Sequence, residues 1–361
     1  MLIDRVCAQS LACLKRTAQN PSRRNRARKK RWLCQWTFLN GLYNAVMPTH
    51  PKERRHTDRR LTNHRFKEHR LTEQRNAASK NLDRMTALEI VRLMNREDRK
   101  VAAAVGREIP AIARAVDAIV RGMQNGGRLI YVGAGSSGRM AVLDAAECPP
   151  TFGISPAVMQ ALIAGGRRAV TGAVEGAEDS VRNAERDLRE KKLTSSDVVV
   201  GIAASGTTPY VLAAMKFARK RKATTVAITS NRHMAAARLA KIVIALEVGP
   251  EVLTGSTRLK AGTSQKMVLN MLSTAAMVRL GHVYENLMID AVLTNQKLGD
   301  RAVRILAEAS GKNLSAAEHA LRAAGHDMRV GLVMLKLGVE AGEAKRLLAR
   351  TGGDLRRALG E

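Results

Sequence analysis

Aromatic residues are scarce: 2 Trp, 4 Tyr and 4 Phe in 361 residues, and beyond residue 70 only Tyr131, Phe152, Tyr210, Phe217 and Tyr284. Five scattered rings do not make a stacking platform for bases. Cysteine is nearly as rare. Cys7, Cys13 and Cys34 lie in the first 70 residues and Cys148 stands alone later, with no C-x-x-C pair; a disulfide framework and a thiolate zinc site are both excluded, and the usage suits a reducing compartment. His233, His282, His319 and His326 show no H-E-x-x-H spacing, so no structural or catalytic metal is expected. No uninterrupted apolar run reaches the roughly 18 residues of a membrane span. The best N-terminal candidate, 32–47, is broken by Gln35, Asn40 and Asn44, which sets aside membrane-spanning and secreted readings.

Positive charge, by contrast, is abundant. A net charge of +29 ordinarily suggests a nucleic-acid partner. Its distribution argues otherwise: residues 1–70 hold 18 Lys/Arg against 4 Asp/Glu, together with both Trp and four of the eight His. This stretch, with "RRNRARKKRW" and "KERRHTDRR", lacks periodicity and is predicted to be a disordered basic extension. Three readings of it stand: an arm for nucleic acid or a membrane surface, an Arg-rich targeting peptide, or an extension upstream of a misplaced start. For the rest of the chain a nucleic-acid partner is disfavoured, since the stacking aromatics are too few, and the arm itself has no heptads or helix-turn-helix pattern to support such a role.

From residue 71 the pattern changes. Thr86 and Glu89 form a T-x-x-E capping box that opens a helix, and Pro110 opens a second, with Ile112, Val116, Ile119 and Met123 at helical spacing. Strands are predicted at 128–133, 158–164, 197–203, 223–229 and 241–247, alternating with helical segments. That alternation is the mark of an α/β fold, a doubly wound parallel five-stranded sheet covered on both faces. A long helix is expected over 265–280, and beyond 301 short helices broken by Gly311, Gly325, Gly338, Gly352 and Gly353, with a second capping box at Ser315 and Glu318, form a small helical C-terminal domain. The expected domains are 1–70, 71–300 and 301–361.

In "YVGAGSSGRM", Gly133, Gly135 and Gly138 fall at the G-x-G-x-x-G spacing of a dinucleotide turn. The acidic residue that should follow the next strand is missing; Arg167 and Arg168 stand there instead. A second turn of the same design follows the third strand: Ser205, Gly206, Thr207 and Thr208, then Pro209. Two hydroxyl-rich helix N-termini at one sheet edge favour a small phosphorylated ligand over a dinucleotide. For either turn alone, helix capping by Ser and Thr explains the residues equally well. Glu147 ends its helix at the unfavourable, negative end of the dipole, and Glu175 and Glu178 would share a helix face; a solvated surface is the alternative for each. Cys148 has no histidine near it and reads as a buried thiol. Lys260 and Lys266, in a Gly/Thr-rich segment, are either anion partners or surface lysines.

The motifs "YVGAGSSGRMAVLDAAECPPTFG", "AVEGAEDS", "VVVGIAASGTTPYV", "TGSTRLKAGTSQKMVLNMLST" and "NLMIDAVLTNQKL" together resemble the N-acetylmuramic acid 6-phosphate etherases, built on the sugar isomerase (SIS) domain. The resemblance runs from Leu71 to the C-terminus. It implies a lyase that cleaves the D-lactyl ether of its sugar phosphate by elimination and then hydration, without cofactor or metal, as a cytoplasmic homodimer in peptidoglycan recycling. It places the two catalytic carboxylates on Glu147 and Glu178, and the phosphate cradle on Gly135, Ser136, Ser137, Ser205, Thr207 and Thr208, with Lys260 beside it. Two departures are visible: Thr207 stands where the family pattern has Arg, and Ser136 where it more often has Thr. A non-catalytic sugar-phosphate-binding regulator of a kinase or of transcription, and an aldose-ketose isomerase, are the rival readings.

Overall fold

The computed structural model describes residues 70–361. The expected disordered extension, Arg70 apart, lies outside the described residues. Three 3-10 turns, Leu71–Glu73, Ala77–Ser79 and Leu82–Arg84, lead into helix α1 (Ala87–Gly106). The capping box is present: the Glu89 N–H donates to Thr86 Oγ1 at 3.3 Å and the Thr86 N–H to Glu89 Oε2 at 2.7 Å. Helix α2 (Ile109–Gln124) carries Pro110 in its first turn, where the missing N–H does no harm.

Then come β1 (Leu129–Gly133), α3 (Gly135–Phe152), β2 (Met159–Ile163), the single turn α4 (Arg168–Thr171) and α5 (Val181–Glu190). The alternation continues with β3 (Val198–Ile202), α6 (Pro209–Lys220), β4 (Thr224–Thr229), α7 (Ala235–Leu239), β5 (Ile242–Ala245) and the long α8 (Lys260–Arg279). Every predicted strand is found, trimmed by a residue or two at its ends. All pair in parallel in the order β2-β1-β3-β4-β5.

Period-two alternation divides the central strands between two cores. Leu129, Tyr131, Val198, Val200, Ile202, Val226 and Ile228 pack against α1, α2, α3 and α8. Ile130, Val132, Val199 and Ala227 pack against α5, α6 and α7. Both faces are covered, so the strands read as nearly unbroken apolar runs.

Helices α9 (Gln296–Ser310), α10 (Leu314–Ala323), α11 (Met328–Leu337), α12 (Ala341–Arg350) and α13 (Leu355–Leu359) follow. Gly311, Gly325 and Gly338 occupy left-handed backbone at or just past three of their C-terminal ends, as the sequence pattern requires. These helices share a third core that already includes Tyr284, Ile289 and Ala291 upstream of α9. The second expected capping box is not formed. Asn313 caps α10 through the Ala316 N–H at 2.8 Å, so Ser315 lies inside the helix and Glu318 pairs with Arg322. Asn is among the strongest N-caps, and it stands where the helix begins.

Candidate active site

The strand order reverses between β1 and β3, the point at which open α/β sheets bind ligands beyond their carboxyl ends. The two hydroxyl turns lie at that edge. In the first, Gly133 and Gly138 serve packing: a Cβ on Gly133 would lie 2.7 Å from the Gly138 nitrogen, and one on Gly138 would lie 2.6 Å from Ile163 Cγ1. Gly135 is different, with φ +52° and open space around it. The G-x-G-x-x-G spacing therefore brings helix and strand close together, and nothing in it demands a dinucleotide.

No side chain caps α3 or α6. Ser180, Asn295, Asp327 and Asp354 cap α5, α9, α11 and α13, whereas α2, α7 and α12, like α3 and α6, have no side-chain cap. The half-buried Ser136 and Ser137 thus do not act as caps, and the first-turn N–H groups of α3 and α6 stay available to an anion. The second turn is preformed. Ser205 Oγ accepts from both the Thr207 N–H and the Thr207 hydroxyl at 3.2 Å. Gly206 has φ +72°, and a Cβ there would lie 2.6 Å from Met234 Cβ. Thr208, half-buried, occupies the uncapped N-cap position of α6.

Asn231, just after β4, was not singled out from sequence, yet it ties this edge together. Its Nδ2 donates to the carbonyls of Ala204 at 2.9 Å and Ser205 at 3.4 Å, while its Oδ1 accepts from the Leu71 N–H at 2.8 Å. Arg139 was also missed: its guanidinium grips the carbonyls of Ala169, Val170 and Gly172, fixing the connection that carries Glu178. Only their place at the carboxyl edge could have marked either residue.

Glu147 and Glu178 are both exposed, and neither makes a hydrogen bond or ion pair among the described residues. They occupy different parts of the chain. Glu178 sits in the 3-10 turn Ala177–Asp179 that enters α5 at the carboxyl edge. Glu147 lies eleven residues along α3 from Ser136, about 16 Å at the helical rise, toward the opposite edge of the sheet; it does not end the helix as expected, since α3 runs on through Pro149 and Pro150 to Phe152. Glu175 is likewise exposed, in the loop before that 3-10 turn.

Beside Glu147 the protein is firmly packed. The buried Asp144 carboxylate accepts from Tyr131 Oη at 2.9 Å and Ser273 Oγ at 3.1 Å, joining α3 to β1 and α8. Burial raises its pKa, against the pull of those two hydrogen bonds. Burial, with the Asp144 charge, pushes the Cys148 thiol up to about 12. Cys148 is a packed, inert thiol, in line with its sequence reading.

Lys260 sits differently from the anion partner expected. It is the first residue of α8, 1% exposed, with Nζ 2.7 Å from Glu97 Oε2. Burial would raise the Glu97 carboxyl, but hydrogen bonds from Lys100, Lys260 and Asn76 outweigh it and hold Glu97 at about 2. The helix also starts five residues earlier than predicted. Glu251 accepts the N–H groups of Lys260 at 3.0 Å and Ala261 at 2.9 Å, a cap supplied from nine residues upstream and invisible to local pattern.

Two family models match: the SIS domain over residues 180–275, and the glucokinase regulatory protein N-terminal SIS domain over 111–219. A curated relative from Serratia proteamaculans, named N-acetylmuramic acid 6-phosphate etherase, is 52% identical over 284 residues, 79% of this chain and 96% of its own. The chain belongs to the N-acetylmuramic acid 6-phosphate etherase family. A member from Yersinia pestis is 51% identical over the same coverage. Among solved structures, a phosphoheptose isomerase from Francisella tularensis covers 54% of this chain and 100% of its own, at 18% identity and a TM-score of 0.43.

Proposed function

We propose that the carboxyl-edge crevice holds N-acetylmuramic acid 6-phosphate and that the chain cleaves its D-lactyl ether, giving N-acetylglucosamine 6-phosphate and D-lactate. The observation that carries this reading is 52% identity, over 96% of its length, to a relative named for this reaction. Two uncapped helix N-termini at one switch point add a physical reason for a phosphate to sit there. Gly135, Ser136, Ser137, Ser205 and Thr208 supply the cradle. Thr207, in place of the family's Arg, turns its hydroxyl onto Ser205 and stiffens the loop instead of reaching for an anion. Lys260, committed to Glu97 in a buried pair, is left out of the cradle.

In the ring-opened sugar the C2 hydrogen is α to an aldehyde. Glu178 removes it, giving an enolate-like species. Glu147, as a carboxylic acid, protonates the ether oxygen as the C3–O bond breaks and lactate leaves. Water then adds at C3 of the unsaturated aldehyde. Each positioned acid or base is worth typically ~10² to 10⁴ in rate, so neither alone suffices.

The active unit is a homodimer. About 16 Å of helix separates Ser136 from Glu147 in one chain, more than a hexose phosphate spans from phosphorus to C3. The phosphate turns of one copy therefore work with Glu147 of the other. Exposed Leu143 on α3 and Val278 on α8 supply apolar surface for such an interface. The setting is cytoplasmic peptidoglycan recycling; no described helix is long and apolar enough to cross a membrane.

The test is to incubate the purified chain with N-acetylmuramic acid 6-phosphate and assay D-lactate. Tight binding of the sugar phosphate without lactate would point instead to a non-catalytic regulator. Isomerised sugar without lactate would point to an isomerase.

A further inference from the structure

Helices α9 to α13 contribute none of the groups assigned above, yet hydrogen bonds join them to the end of α3 that carries Glu147. Pro149 and Pro150 lie inside that helix and have no N–H to give, so the carbonyls of Ala145 and Ala146 lose their ladder donors. The last turn of α3 is thus weakly held by its own backbone and depends on outside contacts. Those contacts come from the strap 281–295 that follows α8. The Val292 N–H donates to the Pro150 carbonyl at 3.0 Å. Gly153, at φ +62°, approaches so closely that a Cβ on it would lie 2.6 Å from the Asp290 carbonyl oxygen.

The strap is in turn clamped by α11. Arg329 forks onto the Asp290 carboxylate, Nε to Oδ1 at 2.5 Å and Nη2 to Oδ2 at 3.0 Å. The same guanidinium donates to the carbonyls of Gly281 and Gly353, at the start of the strap and just before α13. His282 Nδ1 adds a contact to Asp290 Oδ2 at 2.7 Å. One planar guanidinium therefore holds the strap at Gly281 and at Asp290, the residue against which Gly153 packs.

We infer that Arg329 and Asp290 are positioning residues for Glu147: through the strap they hold the last turn of α3, and with it the Glu147 carboxyl one turn earlier, in place relative to the substrate. The inference rests on the reading of Glu147 as the acid for the lactate oxygen. A misplacement of about 1 Å can cost ~10² in rate without removing any reacting group. Loosening the clamp should therefore slow the step that needs Glu147 and spare the step that needs Glu178.

The experiment compares Arg329→Met, Arg329→Lys and Glu147→Gln in the full chain, measuring D-lactate release, deuterium uptake at C2 in D₂O, KM and thermal melting. In Arg329→Met, lactate release should fall about 10- to 100-fold while C2 exchange and KM stay within about 3-fold. Arg329→Lys keeps the charge, loses the fork, and should fall between; it answers by the same ratio if Arg329→Met does not fold. A substrate analogue with an easier leaving group at C3 should restore Arg329→Met, as it should restore Glu147→Gln. Release and exchange falling together in the folded variants would overturn the inference. So would unchanged kinetics, or a split in Glu147→Gln with none in either Arg329 variant, and this last result would leave the role of Glu147 standing. No split in Glu147→Gln would overturn both.

Discussion

The two ends of α3 are built in opposite ways. At the amino end the chain leaves the first-turn N–H groups without a side-chain cap, brings Gly133 and Gly138 into close contact with each other, and keeps Gly135 in open space at positive φ. At the carboxyl end the backbone ladder is interrupted by two prolines, and neighbours make up the loss: Asp144 to Tyr131 and Ser273, Pro150 to Val292. A ligand can complete the first end, because its unpaired donors suit an anion. The second presents an exposed carboxylate on a surface held by tertiary contacts. On the proposed reading, one helix offers binding at one end and chemistry at the other, and the distance between them is the reason a second copy is proposed.

The comparison breaks most visibly at the carboxylates. Glu147→Gln should lower lactate release by ~10² to 10⁴ yet still exchange the C2 hydrogen with D₂O. Glu178→Gln, on a different segment, should lose both; recovery of Glu178→Gln by an easier leaving group would show the roles reversed. At the binding end, Ser137→Ala or Ser205→Ala should raise KM about 10- to 150-fold, since a hydrogen bond to a charged group contributes roughly 1.5 to 3 kcal/mol. Unchanged binding of both inorganic phosphate and the sugar phosphate would misplace the cradle. The glycines divide by role. Gly138→Ala, overpacked against Ile163, should destabilise by about 1 to 3 kcal/mol in urea unfolding. Gly135→Ala, in open space, should lose stability only from its left-handed backbone, about 1 to 2 kcal/mol, and a larger loss than Gly138→Ala would contradict the packing reading. The smallest effect is at Cys148. With its thiol pushed to about 12 by burial, peptide mapping after alkylation at pH 8 should find it unmodified in the folded protein.

Much of the architecture was legible because the signals were local. β-branched runs marked the strands, Thr86 and Glu89 marked the start of α1, and glycines marked three helix ends in the C-terminal part. Local reading failed where the determining partner was distant in sequence. The start of α8 was placed late because its cap, Glu251, reaches it from another segment. Lys260 read as an anion partner because nothing near it announced Glu97, 163 residues away. The start of α10 was placed two residues late because Ser315 and Glu318 read as a capping box, whereas in the fold Asn313 takes the cap.

By itself the sequence determined the parallel α/β class, the two hydroxyl turns and the candidate carboxylates, because strand propensity, turn chemistry and motif spacing are properties of neighbouring residues. Tertiary structure decided the rest. It set the strand order that brings the turns after β1 and β3 to one edge, and withdrew Lys260 into a buried pair. The reason is physical: burial, long-range ion pairs and the direction of a helix across a sheet depend on which segments meet, and no window of sequence contains both partners.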